Sequence, residues 1–202
     1  MQQVSHYTLD GTIYAQVGHI SEIAYDHVKQ QSQQSIVLGI TGPSGSGKTT
    51  LIERLIPALQ SFKLKISTVK NVHHELELDK PGKDSFRHRE AGAKEVMVSL
   101  PSGWALFHHK PDDQRLPIEM LKKNMEAVDL ILVEGFRSPS MKQIEVFNSS
   151  LSEPLNQPND SSVIAVVADI QLPELTVPTF QRDNIDGITA LIITYLNSVL
   201  AG

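Results

Sequence analysis

The apolar run Ile36 to Ile40 leads straight into Gly42-Pro43-Ser44-Gly45-Ser46-Gly47-Lys48-Thr49, and this junction constrains the chain more than anything else in it. Small residues let consecutive backbone N–H groups turn inward around phosphate oxygens, and the start of the following helix adds its positive dipole end. Gly42, Gly45 and Gly47 supply the backbone freedom, while Ser44 and Ser46 keep the loop small. Lys48 would reach the β and γ phosphates as a point charge, and the Thr49 hydroxyl would take one position on a magnesium ion. Thr50 follows as a further phosphate-binding candidate. The plain alternative is a glycine-rich turn between strand and helix, which does not account for the lysine and threonine at their required places.

After Thr49, the residues Leu51, Ile52, Leu55, Ile56 and Leu59 fall on one helical stripe, as a helix packed on a sheet requires. The helix reads to about Ser61, but Pro57 interrupts that stripe, and because proline removes a hydrogen bond and clashes with the preceding turn, a kink or an early end is expected there. Beyond it, strands read at Leu64 to Val69, Leu130 to Val133, Gln143 to Phe147 and Val163 to Val167. Helices read at Ser85 to Gly92, Gln114 to Met125 and Asn184 to Leu200. Glu95 to Leu100 and Trp104 to His108, joined by Pro101-Ser102-Gly103, read as a hairpin. Alternating strands and helices predict an α/β fold of the P-loop NTPase kind: three layers, a mostly parallel sheet with helices on both faces, and an extended hairpin.

The chain has 202 residues, a net charge of −5 and no cysteine. That length suits one nucleotide-binding domain over 35–202, with residues 1–34 as an extension: a short hairpin around Asp10 and Gly11, then a polar QQSQQS linker. The charge gives no footprint for nucleic acid or an anionic membrane, and no apolar stretch approaches the ~20 residues of a membrane span. Without cysteines there are neither disulfides nor thiolate metal sites, and the start MQQVSHYTLD does not read as a secretory signal, so a cytoplasmic address is expected.

Magnesium at a phosphate loop needs a carboxylate at the carboxyl end of a neighbouring parallel strand. Asp129 opens the strand in DLILVEG and Glu134 closes it. They lie ~16 Å apart at a strand's rise, so both cannot serve one metal. Glu134 is at the correct end and, with Lys48, is the catalytic candidate; Thr49 and Glu134 are the metal candidates. Asp129 reads as a cap or a solvated strand start. The polar segment Lys70 to Ala93 leaves the second strand at the same sheet edge and is a candidate switch or substrate loop. Within it Lys83, Arg87 and Arg89 are anion-binding candidates. Asp79 or Asp84 would approach magnesium through water, and His73 or His74 would orient an attacking water. The histidines also admit a metal site, although no HExxH pattern accompanies them.

GPSGSGKTTL from Gly42, DKPGKDSFRHREAGA from Asp79 to Ala93 and DLILVEGFR from Asp129 to Arg137 together resemble the molybdopterin-guanine dinucleotide biosynthesis adapter proteins, the MobB family. The middle block is the specific one, since a P-loop alone is widely shared. The resemblance spans roughly residues 36 to 200 and implies a Mg2+-GTP-binding protein with slow hydrolysis. It also implies a homodimer, in which the Val96 to His108 hairpin contributes to an extended sheet between subunits, working beside the guanylyltransferase that joins GMP to molybdopterin, and with molybdopterin itself as a further partner. The family reads Lys-His-x-His-His after its second strand, whereas here Asn71 follows Lys70. An amide replaces an imidazole that only donates a hydrogen bond, but not one that exchanges protons. No Asn-Lys-x-Asp signature for guanine is present. Asp169, just past the Val163 to Val167 run, is a candidate to accept from guanine N1–H and N2–H₂, or else simply caps its loop. Two other functions fit the same loop: a small-molecule kinase or related phosphotransferase, and a metal-delivering GTPase dependent on His73, His74 or His88.

Overall fold

Strands covered on both faces read as continuous Ile, Val and Leu, and three strands of the central sheet, Ile36–Thr41, Leu130–Glu134 and Val163–Ala168, carry such a run. The computed structural model describes residues 6–9, 12–15, 35–72, 80–108, 116–136, 138, 140–157, 159–172 and 175–201. In chain order the elements are β1 (His6–Leu9), β2 (Thr12–Ala15), β3 (Ile36–Thr41), α1 (Lys48–Ser61), β4 (Ile66–Lys70), α2 (Asp84–Glu90), β5 (Glu95–Leu100) and β6 (Gly103–His108). Then come α3 (Ile118–Lys122), β7 (Leu130–Glu134), β8 (Gln143–Val146), β9 (Val163–Ala168), β10 (Thr179–Gln181) and α4 (Ile185–Ala201). Met1–Asn71 with Glu126–Gly202 form one compact unit, and Val72–Met125 a second.

In the first unit six strands pair in the order β10-β9-β8-β3-β7-β4, every neighbour parallel. Ile40 is in register with Glu134, and Glu134 with Lys70, so the carboxyl ends of three adjacent strands finish level. One face presents Leu38, Ile40, Leu130, Leu132, Ile144 and Val146 to Leu51, Leu55 and Leu59 of α1 and to Ile188, Ile192 and Leu196 of α4. Each such side chain contributes about 1.5–3 kcal/mol when fully buried. At the β9 end of the other face, Val163, Val166 and Ala168 are covered by Phe147, Leu155, Leu172, Leu175 and Val177 from loops. Glu145 is buried there too, and its carboxylate accepts from the backbone N–H of Asn156 at 2.7 Å and of Gln157 at 3.0 Å. Those bonds satisfy a buried charge and fix the loop after β8 to the sheet. The expected α/β architecture is therefore present.

Several local expectations are corrected. Helix α1 runs through Pro57 to Ser61, the end its apolar pattern gives, and does not stop early. Pro57 and Glu53, whose carbonyl loses its partner, are both exposed, so that carbonyl is open to solvent while Leu55 and Leu59 hold the helix to the core. The helix expected over Gln114 to Met125 is only Ile118–Lys122, preceded by Pro117 in an extended conformation; Gln114 lies outside the described residues. Strand β10 was not foreseen, because only Phe180 of its three residues is buried and no period shows in so short a run. β4 begins two residues later than expected, at Ile66. The N-terminal hairpin is present as antiparallel β1 and β2, with Leu9 opposite Thr12. The linker over 30–34 lies outside the described residues.

The second unit holds α2, α3 and the antiparallel pair β5–β6, closed between Leu100 and Gly103. One face of the hairpin turns Val96 inward. The other exposes Met97, Trp104 and Leu106, flanked by a contact of 2.7 Å between His108 Nδ1 and Glu95 Oε1.

Candidate phosphate-binding site

The loop between β3 and α1 needs backbone conformations open to glycine, and it has them: φ is +133° at Gly42, +77° at Gly45 and +101° at Gly47. A Cβ on Gly42 would lie 2.3 Å from the carbonyl oxygen of Val146, so no side chain fits where the loop leaves the sheet. Ser46 is fully buried, and its Oγ has no hydrogen-bond partner among the described residues. Ser44 is exposed, and Thr50 lies in the first turn of α1.

Lys48, the first residue of α1, folds back over the loop and donates from Nζ to the carbonyls of Pro43 at 2.6 Å and Gly42 at 2.9 Å. Burial pushes its ammonium below the ordinary lysine range; Glu134 pulls it back up and Lys70 pushes it further down. Two backbone carbonyls and one acid thus hold a cation where a phosphate oxygen would be a stronger partner.

The end of β7 brings Glu134 to the same place. Thr49 Oγ1 donates to Glu134 Oε1 at 2.8 Å, and Lys70 Nζ lies 3.5 Å from that oxygen. Asp129, at the other end of β7, accepts from the backbone N–H of Lys65 at 2.6 Å and so closes a turn far from the loop. Asn71 fastens the β4 end to the β7 end: its backbone N–H donates to the Glu134 carbonyl at 2.9 Å and its side-chain amide to the Gly135 carbonyl at 3.0 Å. Gly135 has a φ of +72°, which favours glycine. In this chain position 71 therefore acts as a hydrogen-bond donor.

Across β3, the end of β9 carries Asp169, whose carboxylate accepts from the Ser149 backbone N–H at 2.9 Å and the Ser149 hydroxyl at 2.8 Å. Those two bonds, the amide first, hold its carboxyl below the ordinary range. The loop-capping role considered for Asp169 is thus filled, with Arg182 Nη2 3.8 Å from Oδ1. Nothing in the sequence ties Arg182, a residue beyond β10, to a loop beyond β3.

Of the remaining candidates, His73, His74 and Asp79 lie outside the described residues. Lys83 precedes α2 and Asp84 opens it; Arg87 sits 3.7 Å from Asp84, and the Arg89 guanidinium stacks on Phe86 at 5.0 Å. All four belong to the second unit. Among the described residues no group of three or more His, Asp or Glu could hold a metal.

A parallel sheet, a glycine-built loop entering a helix, and an acid at the neighbouring strand end define a P-loop protein of the nucleotide-binding class. The family model for molybdopterin guanine dinucleotide synthesis protein B matches residues 37–169. Over 163 residues the chain is 35% identical to the molybdopterin-guanine dinucleotide biosynthesis adapter protein of Escherichia coli (strain K12), covering 79% of this chain and 93% of that one. Its identity with the protein of that name from Haemophilus influenzae is 38% over 141 residues, 70% and 79% of the two chains. A crystal structure of molybdopterin-guanine biosynthesis protein B shares the fold, with a TM-score of 0.62 at 24% identity over 79% of this chain and 99% of that one. The chain belongs to the MobB family.

Proposed function

We propose that this chain is a GTP-binding adapter in the biosynthesis of molybdopterin guanine dinucleotide. In this reading residues 35–202 carry the nucleotide and residues 1–34 are an extension. The observation that carries nucleotide binding is the 2.8 Å contact between Thr49 and Glu134 at the mouth of a loop with Lys48 folded over it. The names of the 35% and 38% identical relatives support the pathway.

The donor set fits a magnesium ion: a hydroxyl and a carboxylate, both hard oxygen ligands, already in contact. Thr49 and Glu134 would hold it, and the ion would supply charge neutralisation between the β and γ phosphates. The chain's own part is positioning. Lys48 exchanges its two carbonyls for phosphate oxygens, the loop N–H groups converge on the same anion, and Lys70 balances Glu134. Among the described residues no arginine finger or water-positioning glutamine is assigned; in this reading turnover is slow and occupancy rather than hydrolysis is the signal.

The partners proposed are a second copy of the chain, meeting through the apolar face of β5–β6, the guanylyltransferase of this synthesis, and molybdopterin. Among the described residues no helix is long and apolar enough to cross a membrane, and the cytoplasm is the proposed address. Calorimetric titration of Mg2+-GTP into wild type and Lys48→Ala, with and without the guanylyltransferase, tests the reading. Saturable binding is expected in the wild type and a loss of at least tenfold in Lys48→Ala, because a charge-assisted contact is removed. Equal affinity in both proteins refutes the site. A triphosphate consumed much faster on adding a small acceptor, with the partner enzyme having no effect, would replace the adapter by a phosphotransferase.

A further inference from the structure

A triphosphate in this loop has a direction. Thr49 faces Glu134 and Lys70, at the ends of β7 and β4 on one side of β3, so metal and terminal phosphates belong to that side. The nucleoside then leaves toward β8, β9 and β10, where Asp169 follows β9 and Arg182 follows β10.

Arg182 is held firmly there. Its backbone N–H donates to the Ala168 carbonyl at 3.2 Å, and its own carbonyl accepts from Arg54 Nη1 at 3.1 Å. The side chain turns back to the loop: Nη2 donates to the Phe147 carbonyl at 2.9 Å, and Nη1 stands 3.9 Å from where a Cβ on Gly47 would be. Nε is buried without a partner. Yet 34% of the Arg182 side chain and 25% of the Asp169 side chain remain exposed, which leaves both within reach of a ligand.

We propose that Arg182 and Asp169 act as one purine-reading pair, in which the guanidinium donates to guanine O6 and N7 while the carboxylate accepts from N1–H and N2–H₂. The inference rests on the GTP-binding reading above and names the residues that set its base preference. A donor and an acceptor 3.8 Å apart suit the neighbouring atoms O6 and N1, in the sense that cytosine offers them. Adenine reverses both: its N6 amine would face the guanidinium and its N1 lone pair the carboxylate, so discrimination comes from repulsion as well as attraction. Asp169 keeps capacity for this, since a carboxylate has about four acceptor positions and Ser149 uses two.

A guanidinium that merely fastens Phe147 to the loop, or that touches a phosphate, would serve every purine alike. The test measures affinities of the full chain, with magnesium, for GTP, 7-deaza-GTP and ATP, in wild type and Arg182→Met, with the fold checked by circular dichroism. Wild type is expected to prefer GTP to both analogues by about fivefold or more, the lower range for a two-point base contact. In Arg182→Met the gap between GTP and 7-deaza-GTP closes, and GTP affinity falls more than ATP affinity. Parallel loss of GTP and ATP, or 7-deaza-GTP binding wild type as well as GTP, overturns the proposal. If Arg182→Met does not fold, the wild-type comparison of GTP with 7-deaza-GTP decides alone. Wild type binding triphosphate through Lys48 without preferring guanine refutes only this pair, whereas wild type binding no triphosphate refutes the parent reading with it.

Discussion

Single residues in this chain carry chemistry by type, and those at the loop were legible for that reason: a lysine and a threonine after spaced glycines have few other uses. Asp169 was legible only as a position. Its two bonds from Ser149 now give it a testable electrostatic signature. Because those bonds lower its folded-state pKa, its contribution to stability is complete above the unfolded carboxyl's pKa and is lost as pH falls through the lower folded value. The thermal midpoint of Asp169→Asn should therefore trail wild type by a constant margin from neutral pH down to the ordinary carboxylate range. Below that range the margin closes, and one that stays open in acid would contradict the assignment. Arg182 is not legible in the sequence, because its relation to Gly47 exists only once β10 is placed beside β9.

Elements are legible where a buried run, a helical period or a turn signal marks them. Val163–Ala168, buried at every position, and α4, apolar at helical spacing, were read to within a residue of their bounds. β10 was lost because one buried phenylalanine makes no pattern, and α3 was overdrawn across Pro117. Pro57 shows a tertiary override: packing of Leu55 and Leu59 outweighs an unfavourable residue on the exposed side. It follows that Pro57→Ala should raise the free energy of unfolding by about 1–3 kcal/mol. Urea denaturation measures this, and GTP affinity should not move, since the change lies beyond the first turn of α1. A destabilised Pro57→Ala would mean the proline relieves a strain this helix otherwise carries.

At the scale of the molecule, the sheet and the hairpin were both foreseen from alternation and turn residues. Residues 73–79, by contrast, lie outside the described residues, and with them the candidates His73, His74 and Asp79. The hairpin leaves Trp104 59% and Met97 61% exposed on one face, an apolar surface that a second copy would cover under the proposed assembly. Replacing Trp104 by lysine should convert dimer to monomer in light scattering while Mg2+-GTP still binds; an unchanged mass would remove this face from the assembly. The all-parallel order has a practical corollary. Every group assigned to nucleotide comes off one rim, while Lys142, exposed at the start of β8, marks the opposite and silent rim. A dye or affinity handle attached there would report on the protein without touching its cargo.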